Sequence, residues 1–223
     1  MTAEALRRLI AERLDPLAAW NPVERPDWSD YDLNPEFRPA ERPVLRDAAV
    51  LIPVVDRPDG LHVILTRRAD SLASHTGQVA FPGGRLDPGE GPVEAALREA
   101  WEEIGLEPGF VEPLGLSNRY ETVTGYVVTP VVGLVQPGFE LRPNPAEVAE
   151  VFEPPFAFLM DPRNHRRDSF ERDGAQRFFY AMPWQDQYIW GATAGMLRAL
   201  WKRLYGDGSE AGRIGDPRSR TVP

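Results

Sequence analysis

Three glutamates, Glu99, Glu102 and Glu103, stand at i, i+3 and i+4 behind the loop Gly83-Gly84-Arg85-Leu86-Asp87-Pro88-Gly89-Glu90. In a helix that spacing puts all three side chains on one face. Carboxylates so close repel one another unless a positive charge is held among them. Hard divalent cations such as Mg²⁺ prefer carboxylate oxygen. A cation held this way neutralises phosphate oxygens and orients a water, which is what phosphoryl chemistry requires.

The segment also reads as a helix in its own right. Gly91 suits the N-cap, Pro92 the first helical position and Gly105 the left-handed position after the end. Val93, Ala96, Leu97, Ala100, Trp101 and Ile104 recur at helical spacing and predict the buried stripe. The glutamates fall in the C-terminal half, where the helix dipole favours a cation. Taken alone, an E-x-x-E-E run is more often a solvated face. Arg98 has Glu94 and Glu102 as i±4 neighbours and could simply lace such a face.

Other elements must place this helix. Residues 2–14 predict a short amphipathic helix, and 15–43, rich in proline, aspartate and aromatics, an irregular arm over the body or a partner subunit. Ala48–Val55 and Leu61–Thr66 are β-rich runs joined by the turn Arg57-Pro58-Asp59-Gly60. Tyr126–Val135 is another, with Pro130 suggesting an edge or bulge. Val148–Phe152 predicts a short strand ended by Pro154-Pro155, and Ile189–Leu204 the C-terminal helix. From Gly206 onward the composition predicts a disordered tail. The division expected is arm 1–45, catalytic domain 46–205 and tail 206–223.

Composition narrows the classes. The 223 residues, 42% hydrophobic, suffice for one substantial core. Zero cysteines exclude disulfides and thiolate metal sites, and three scattered histidines argue against a histidine-built zinc centre. No apolar run is long enough to span a bilayer, and Met1–Leu14 lacks the apolar centre of a signal peptide. Thr221-Val222-Pro223 is not a peroxisomal address. A cytoplasmic location is expected, with no membrane partner. The net charge of −9 argues against nucleic-acid binding.

The full pattern sharpens this. From Gly84, five residues lead to Glu90 and seven more to Arg98-Glu99-Ala100-Trp101-Glu102-Glu103-Ile104-Gly105-Leu106. This resembles the box of the Nudix hydrolases. Its one departure is Ala100, a core-facing position where a larger aliphatic is usual, so the change concerns packing volume and not chemistry. The resemblance implies an α/β fold, an α/β/α sandwich around a mixed β-sheet, and cleavage of a nucleoside diphosphate linked to another moiety. It implies Mg²⁺ or Mn²⁺ held by Glu99 and Glu103, with Glu102 beside them and the Gly84 carbonyl as an extra ligand. Glu90 and Arg98 would form an ion pair fixing loop to helix. A carboxylate from a later loop often completes such sites, which nominates Glu150, with Glu147 as rival. The general base stays open among Glu102, Glu147 and Glu150.

Upstream, Ile64-Leu65-Thr66-Arg67-Arg68-Ala69 and Gly77-Gln78-Val79-Ala80-Phe81-Pro82-Gly83-Gly84 resemble the signature of the coenzyme A diphosphatase subfamily. Departures are Ile64, a minor one, and Ala73, where the signature has arginine. Asn144–Phe152 and Ile189–Ala194 resemble the same subfamily. The implied substrate is coenzyme A, with a broader ADP-ribose or nucleotide-sugar diphosphatase, or a non-catalytic nucleotide binder, as alternatives. Arg67 and Arg68 are substrate-binding candidates. Adjacent strand residues point to opposite faces, and the signature favours Arg68. Gln78 and Phe81 either line the pocket or support the loop. Arg119 and Tyr120 are weaker candidates, and Trp190 reads as core. His75 reads as a loop residue without a role. The aromatic arm is compatible with a homodimer.

Overall fold

The computed structural model describes residues 1–41, 44–69, 77–172 and 174–206. Ala73, His75 and the expected tail from 207 onward lie outside the described residues.

In chain order the elements are α1 (Ala3–Arg13), β1 (Trp28–Ser29), β2 (Arg46–Arg57), β3 (Gly60–Val63), β4 (Leu65–Arg68), β5 (Val79–Ala80), β6 (Gly83–Arg85) and α2 (Pro92–Ile104). There follow β7 (Val111–Leu116), β8 (Tyr120–Glu121), β9 (Tyr126–Val135), β10 (Val148–Phe152), α3 (Phe156–Leu159), β11 (Arg166–Arg172), β12 (Ala175–Trp184), β13 (Gln187–Trp190) and α4 (Gly191–Tyr205).

The central sheet has seven strands in the order β1-β8-β9-β2-β3, with β6 also pairing β2 and β7 pairing β9. It is mixed: β2 and β9 run parallel, in register Val50 to Pro130, while β3, β6 and β7 are antiparallel to their neighbours. β2 is buried on both faces, which is why its sequence is a nearly continuous apolar run. Ala49, Leu51 and Val55 pack toward α2, with Val131 and Val135. Ala48, Ile52 and Val54 pack on the other side with Leu6 and Ile10 of α1 and Leu197 and Leu200 of α4. The expected sandwich is therefore present, with α2 on one face and α1 and α4 on the other. Two smaller sheets flank it, β10-β4-β5 and β11-β12-β13.

Several sequence expectations change. The run Leu61–Thr66 breaks at Ile64, because β3 pairs β2 whereas β4 pairs β10 and β5 in another sheet. Pro130 lies in a central strand, not at an edge. Its missing N–H falls where the neighbour of β9 changes from β7 to β8, and its carbonyl still accepts from Ser117 N–H at 2.9 Å. Ile189 and Trp190 belong to β13, so the last helix starts at Gly191. Trp101, expected in the buried stripe, is 46% exposed, and the stripe turns instead through Ala95, Ala96, Ala100, Glu103 and Ile104. The arm is more ordered than expected. β1 pairs with β8, and the Asn34 side-chain amide donates to Phe178 O at 2.8 Å and accepts from Phe178 N at 2.7 Å, acting as a strand neighbour for β12. The β11–β12 hairpin had no counterpart in the sequence pattern.

Candidate active site

The glycine loop reaches the helix because β6 is clamped onto β2. Gly83 lies so close to Val50 and the Ala49 carbonyl that no side chain would fit. Gly84 follows with its α-carbon against the Glu99 carboxylate, in space a Cβ would fill. The α2 helix begins at Gly91-Pro92 and ends in a left-handed Gly105 (φ 68°), whose N–H returns to Ala100 O and Trp101 O. Asn144 N–H takes the Glu103 carbonyl at 2.8 Å, fastening the loop before β10 to the end of this helix.

Loop and helix are joined by Arg98. Its Nε donates to Glu90 Oε1 and its Nη2 to Glu90 Oε2, each at 2.9 Å, and Nη2 also reaches Arg85 O at 3.1 Å. The Arg98 hydrogen bonds hold the Glu90 carboxyl below its ordinary range. Arg98 Nη1 also contacts Glu99 at 2.8 Å and Glu102 at 3.2 Å. The i±4 pairing with Glu102 thus coexists with the pairing to Glu90.

The three glutamates differ in setting. Glu103 is 5% exposed. Burial pushes its carboxyl up to about 7, against the opposing pull of Arg68 and of the Gly83 N–H, which donates to Oε2 at 3.3 Å. Glu99 is also raised, first by burial, with Arg98 opposing. Glu102 is more than half exposed and turns outward toward Arg98. Among the described residues no three acidic or imidazole side chains already converge into a metal cage. The single carboxylate face expected from spacing is thus a Glu99–Glu103 pair with Glu102 set apart. Even so, the donors fit a hard divalent cation. They are all oxygen, two are desolvated acids that favour a counter-charge, and the side-chain-free cradle at Gly84 lies against one of them.

The later carboxylates separate as well. Glu147 adds to the negative field at both Glu99 and Glu103 and accepts from Asn144 Nδ2 at 3.3 Å. Glu150 is instead engaged by Arg67 Nε at 3.1 Å and Gln187 Nε2 at 3.2 Å. The rival thus acts electrostatically on Glu99 and Glu103, whereas the first choice is paired with Arg67 and Gln187. On β4 the two arginines diverge as alternation predicts: Arg68 Nη1 stands 3.8 Å from Glu103 Oε1, whereas Arg67 serves Glu150. Gln78 is half-buried, and its carbonyl accepts from Arg68 N–H at 3.0 Å. Phe81 is 3% exposed and packs in the core cluster, the placement of a residue that supports the loop. Tyr120 is buried too, its hydroxyl bonded to Asp30 at 3.0 Å. Arg119 contacts arm carbonyls and, at 2.8 Å, Asp47. Trp190 packs edge-on against Phe179. Two positioning residues escaped the sequence reading, Asn144 and Gln187. Asn144 lay in a quoted segment, but nothing local marked it as the tie to Glu103.

The NUDIX domain profile matches residues 45–173. The chain belongs to the Nudix family. It is 46% identical over 159 residues to "Uncharacterized Nudix hydrolase NudL" of Escherichia coli O1:K1 / APEC, covering 70% of this chain and 81% of that one. The same figures hold for the protein of that name from Shigella boydii serotype 18 (strain CDC 3083-94 / BS512). Among solved structures, the Nudix hydrolase RenU from M. Smegmatis is 25% identical with a TM-score of 0.41, over 50% of this chain and 71% of that one. As a Nudix hydrolase the protein cleaves the diphosphate bond of a nucleoside diphosphate derivative, chemistry for which the family uses divalent metal ions. No described helix is long and apolar enough to cross a membrane.

Proposed function

We propose that this Nudix hydrolase splits coenzyme A into 3′,5′-ADP and 4′-phosphopantetheine with Mg²⁺ or Mn²⁺. One observation carries the reading. Arg68, from the segment that resembles the coenzyme A diphosphatase signature, stands 3.8 Å from Glu103 of the box helix. That contact supports a reading in which this segment and the box helix serve the same substrate.

In this reading Glu99 and Glu103 hold the cation, with Glu102 beside them and the Gly84 carbonyl as an additional donor. The bound cation supplies charge neutralisation for the diphosphate and acidifies a water. Arg68 binds a phosphate oxygen, with Arg67 and Gln78 at the periphery. Arg98 and Glu90 keep the loop at a fixed distance from the helix. Glu147 is favoured over Glu150 and Glu102 as the general base, because it already lies in the field of Glu99 and Glu103. Residues 1–45 act as a supporting arm, and cytoplasmic action, with or without homodimer formation, belongs to the same proposal.

A second reading, a broader ADP-ribose or nucleotide-sugar diphosphatase, draws on Ala73 standing where the signature has arginine. Purified protein with Mg²⁺ should release both products from coenzyme A faster than it turns over ADP-ribose, NADH or diadenosine polyphosphates. Good turnover of ADP-ribose with none of coenzyme A would reject the substrate and leave the family intact. Tight binding without turnover of any of them would favour a non-catalytic role.

A further inference from the structure

The turn that leads into β10 opens with Asn144 and Pro145, residue types favoured at the first two positions of a β-turn. Glu147 N–H and Val148 N–H both return to the Asn144 carbonyl, at 3.0 and 2.8 Å, and Ala146 N–H donates to Asn144 Oδ1 at 3.1 Å. The turn thus uses the two oxygens of Asn144 and has no need of its side-chain NH₂. That NH₂ faces Glu147, donating from Nδ2 to Oε1 at 3.3 Å. Exchanging the amide oxygen and nitrogen would set donor against donor at Ala146 and acceptor against acceptor at Glu147, so the network fixes the orientation.

Backbone bonds fasten this turn at both ends. Asn144 N–H takes the Glu103 carbonyl at 2.8 Å and Arg142 N–H the Ile104 carbonyl at 2.7 Å, while the Glu147 carbonyl accepts at 2.8 Å from Ala69 N–H, next after Arg68. Glu147 is half-buried, and its charge raises both Glu99 and Glu103, so the three acids share one negative field. Like charges so placed repel, and a neutral donor holds one of them without adding a further charge. Aspartate would start the turn as well as asparagine does, but an ionised aspartate has no N–H to give. The amide at 144 is therefore explained by Glu147 and not by the turn.

Resting on the reading of Glu147 as general base, we propose that Asn144 is its positioning residue. The side-chain amide holds the Glu147 carboxylate against the repulsion of Glu99 and Glu103, on a turn fastened to both α2 and the end of β4.

Asn144→Asp keeps the acceptor that the turn uses and replaces the donor by a charge. On the substrate that the full-length parent hydrolyses, it should retain the parent's KM and Tm and lower kcat by about tenfold or more, as displacement of a catalytic group does. Glu147→Gln brings an amide donor of its own, so in that background Asn144→Asp should cost no further activity, whereas a merely structural role would repeat the loss. In ¹H–¹⁵N spectra of the metal-free protein, Glu147→Ala should move one proton of the Asn144 side-chain amide more than its geminal partner. A Glu147→Gln protein of parental kcat removes the base assignment and the positioning role with it. With Glu147→Gln impaired, three results overturn the positioning role alone: parental kcat in Asn144→Asp, a loss repeated in the double variant, or an Asn144 amide unmoved by Glu147→Ala.

Discussion

Arg98 grips Glu90 with two parallel hydrogen bonds, Nε to Oε1 and Nη2 to Oε2, both 2.9 Å long. The same guanidinium touches Glu99 and Glu102. One cation thus sets the distance between the glycine loop and the glutamate helix, and its planar fork matches a carboxylate in a way an ammonium cannot. Arg98→Lys should therefore fold but lose the two-pronged geometry, lowering kcat by roughly tenfold or more, as misplacement of catalytic groups does. Steady-state kinetics beside a thermal melt would check this, and an unchanged kcat would remove Arg98 from the positioning role.

Glu103→Gln should move activity and stability in opposite directions. Its carboxyl is buried and raised to about 7, so a neutral isostere relieves the desolvation and should leave Tm unchanged or higher. Turnover should fall by about two orders of magnitude or more, the scale seen when an electrostatic group is removed. A loss of less than about threefold at saturating metal would count against its role.

Glu147→Gln and Glu150→Gln distinguish the two later carboxylates. Glu147 shares the field of Glu99 and Glu103, whereas Glu150 is held by Arg67 and Gln187. Glu147→Gln should lower kcat by about 10²-fold, the usual contribution of general-base assistance, and Glu150→Gln by much less. The reverse order would restore Glu150 as the base.

Acid should weaken the fold through His165. Burial lowers its imidazole from 6.5 to about 4, with Nε2 bonded to Leu159 O at 2.7 Å and Arg198 at 3.3 Å from Nδ1. The folded protein keeps it neutral, so as pH falls from 6.5 toward 4 only the unfolded chain takes up the proton. Stability is fully present above pH 6.5 and declines across that window, by at most about 3 kcal/mol for this group. Denaturant melts at several pH values should show that decline reduced in His165→Gln; an identical slope would assign it to other groups.

Gly195 sits inside α4 where the Tyr120 hydroxyl occupies the space of a side chain. Alanine would ordinarily favour a helix, but here it should destabilise by about 1–3 kcal/mol through overpacking. Adding Tyr120→Phe removes the colliding oxygen but leaves the ring carbons in the way, and Asp30 loses one of its two hydrogen bonds while keeping that from Val123 N–H. The double variant should recover only part of the loss in chemical denaturation, and a fully additive pair would show that the two residues do not interact.

The helix caps, the glycine loop and the glutamate spacing were legible in the chain because they depend on contacts within a few residues. The ion pair of Glu90 and Arg98 came from the family resemblance, because helical spacing by itself offered Arg98 only Glu94 and Glu102. Trp101 was misplaced because a stripe read from periodicity allows a rotation of the helix, and packing against Ala49 and Leu51 chose another. Neither could local pattern reveal that Leu61–Thr66 passes between two sheets. That Arg67 meets Glu150 while Arg68 lies beside Glu103 follows from the pairing of β4 with β10, which no local pattern shows. The sequence by itself determined what chemistry the side chains can do and the helix that carries it. The tertiary structure alone decided which acids are buried together, because desolvation and field depend on groups brought near from distant parts of the chain.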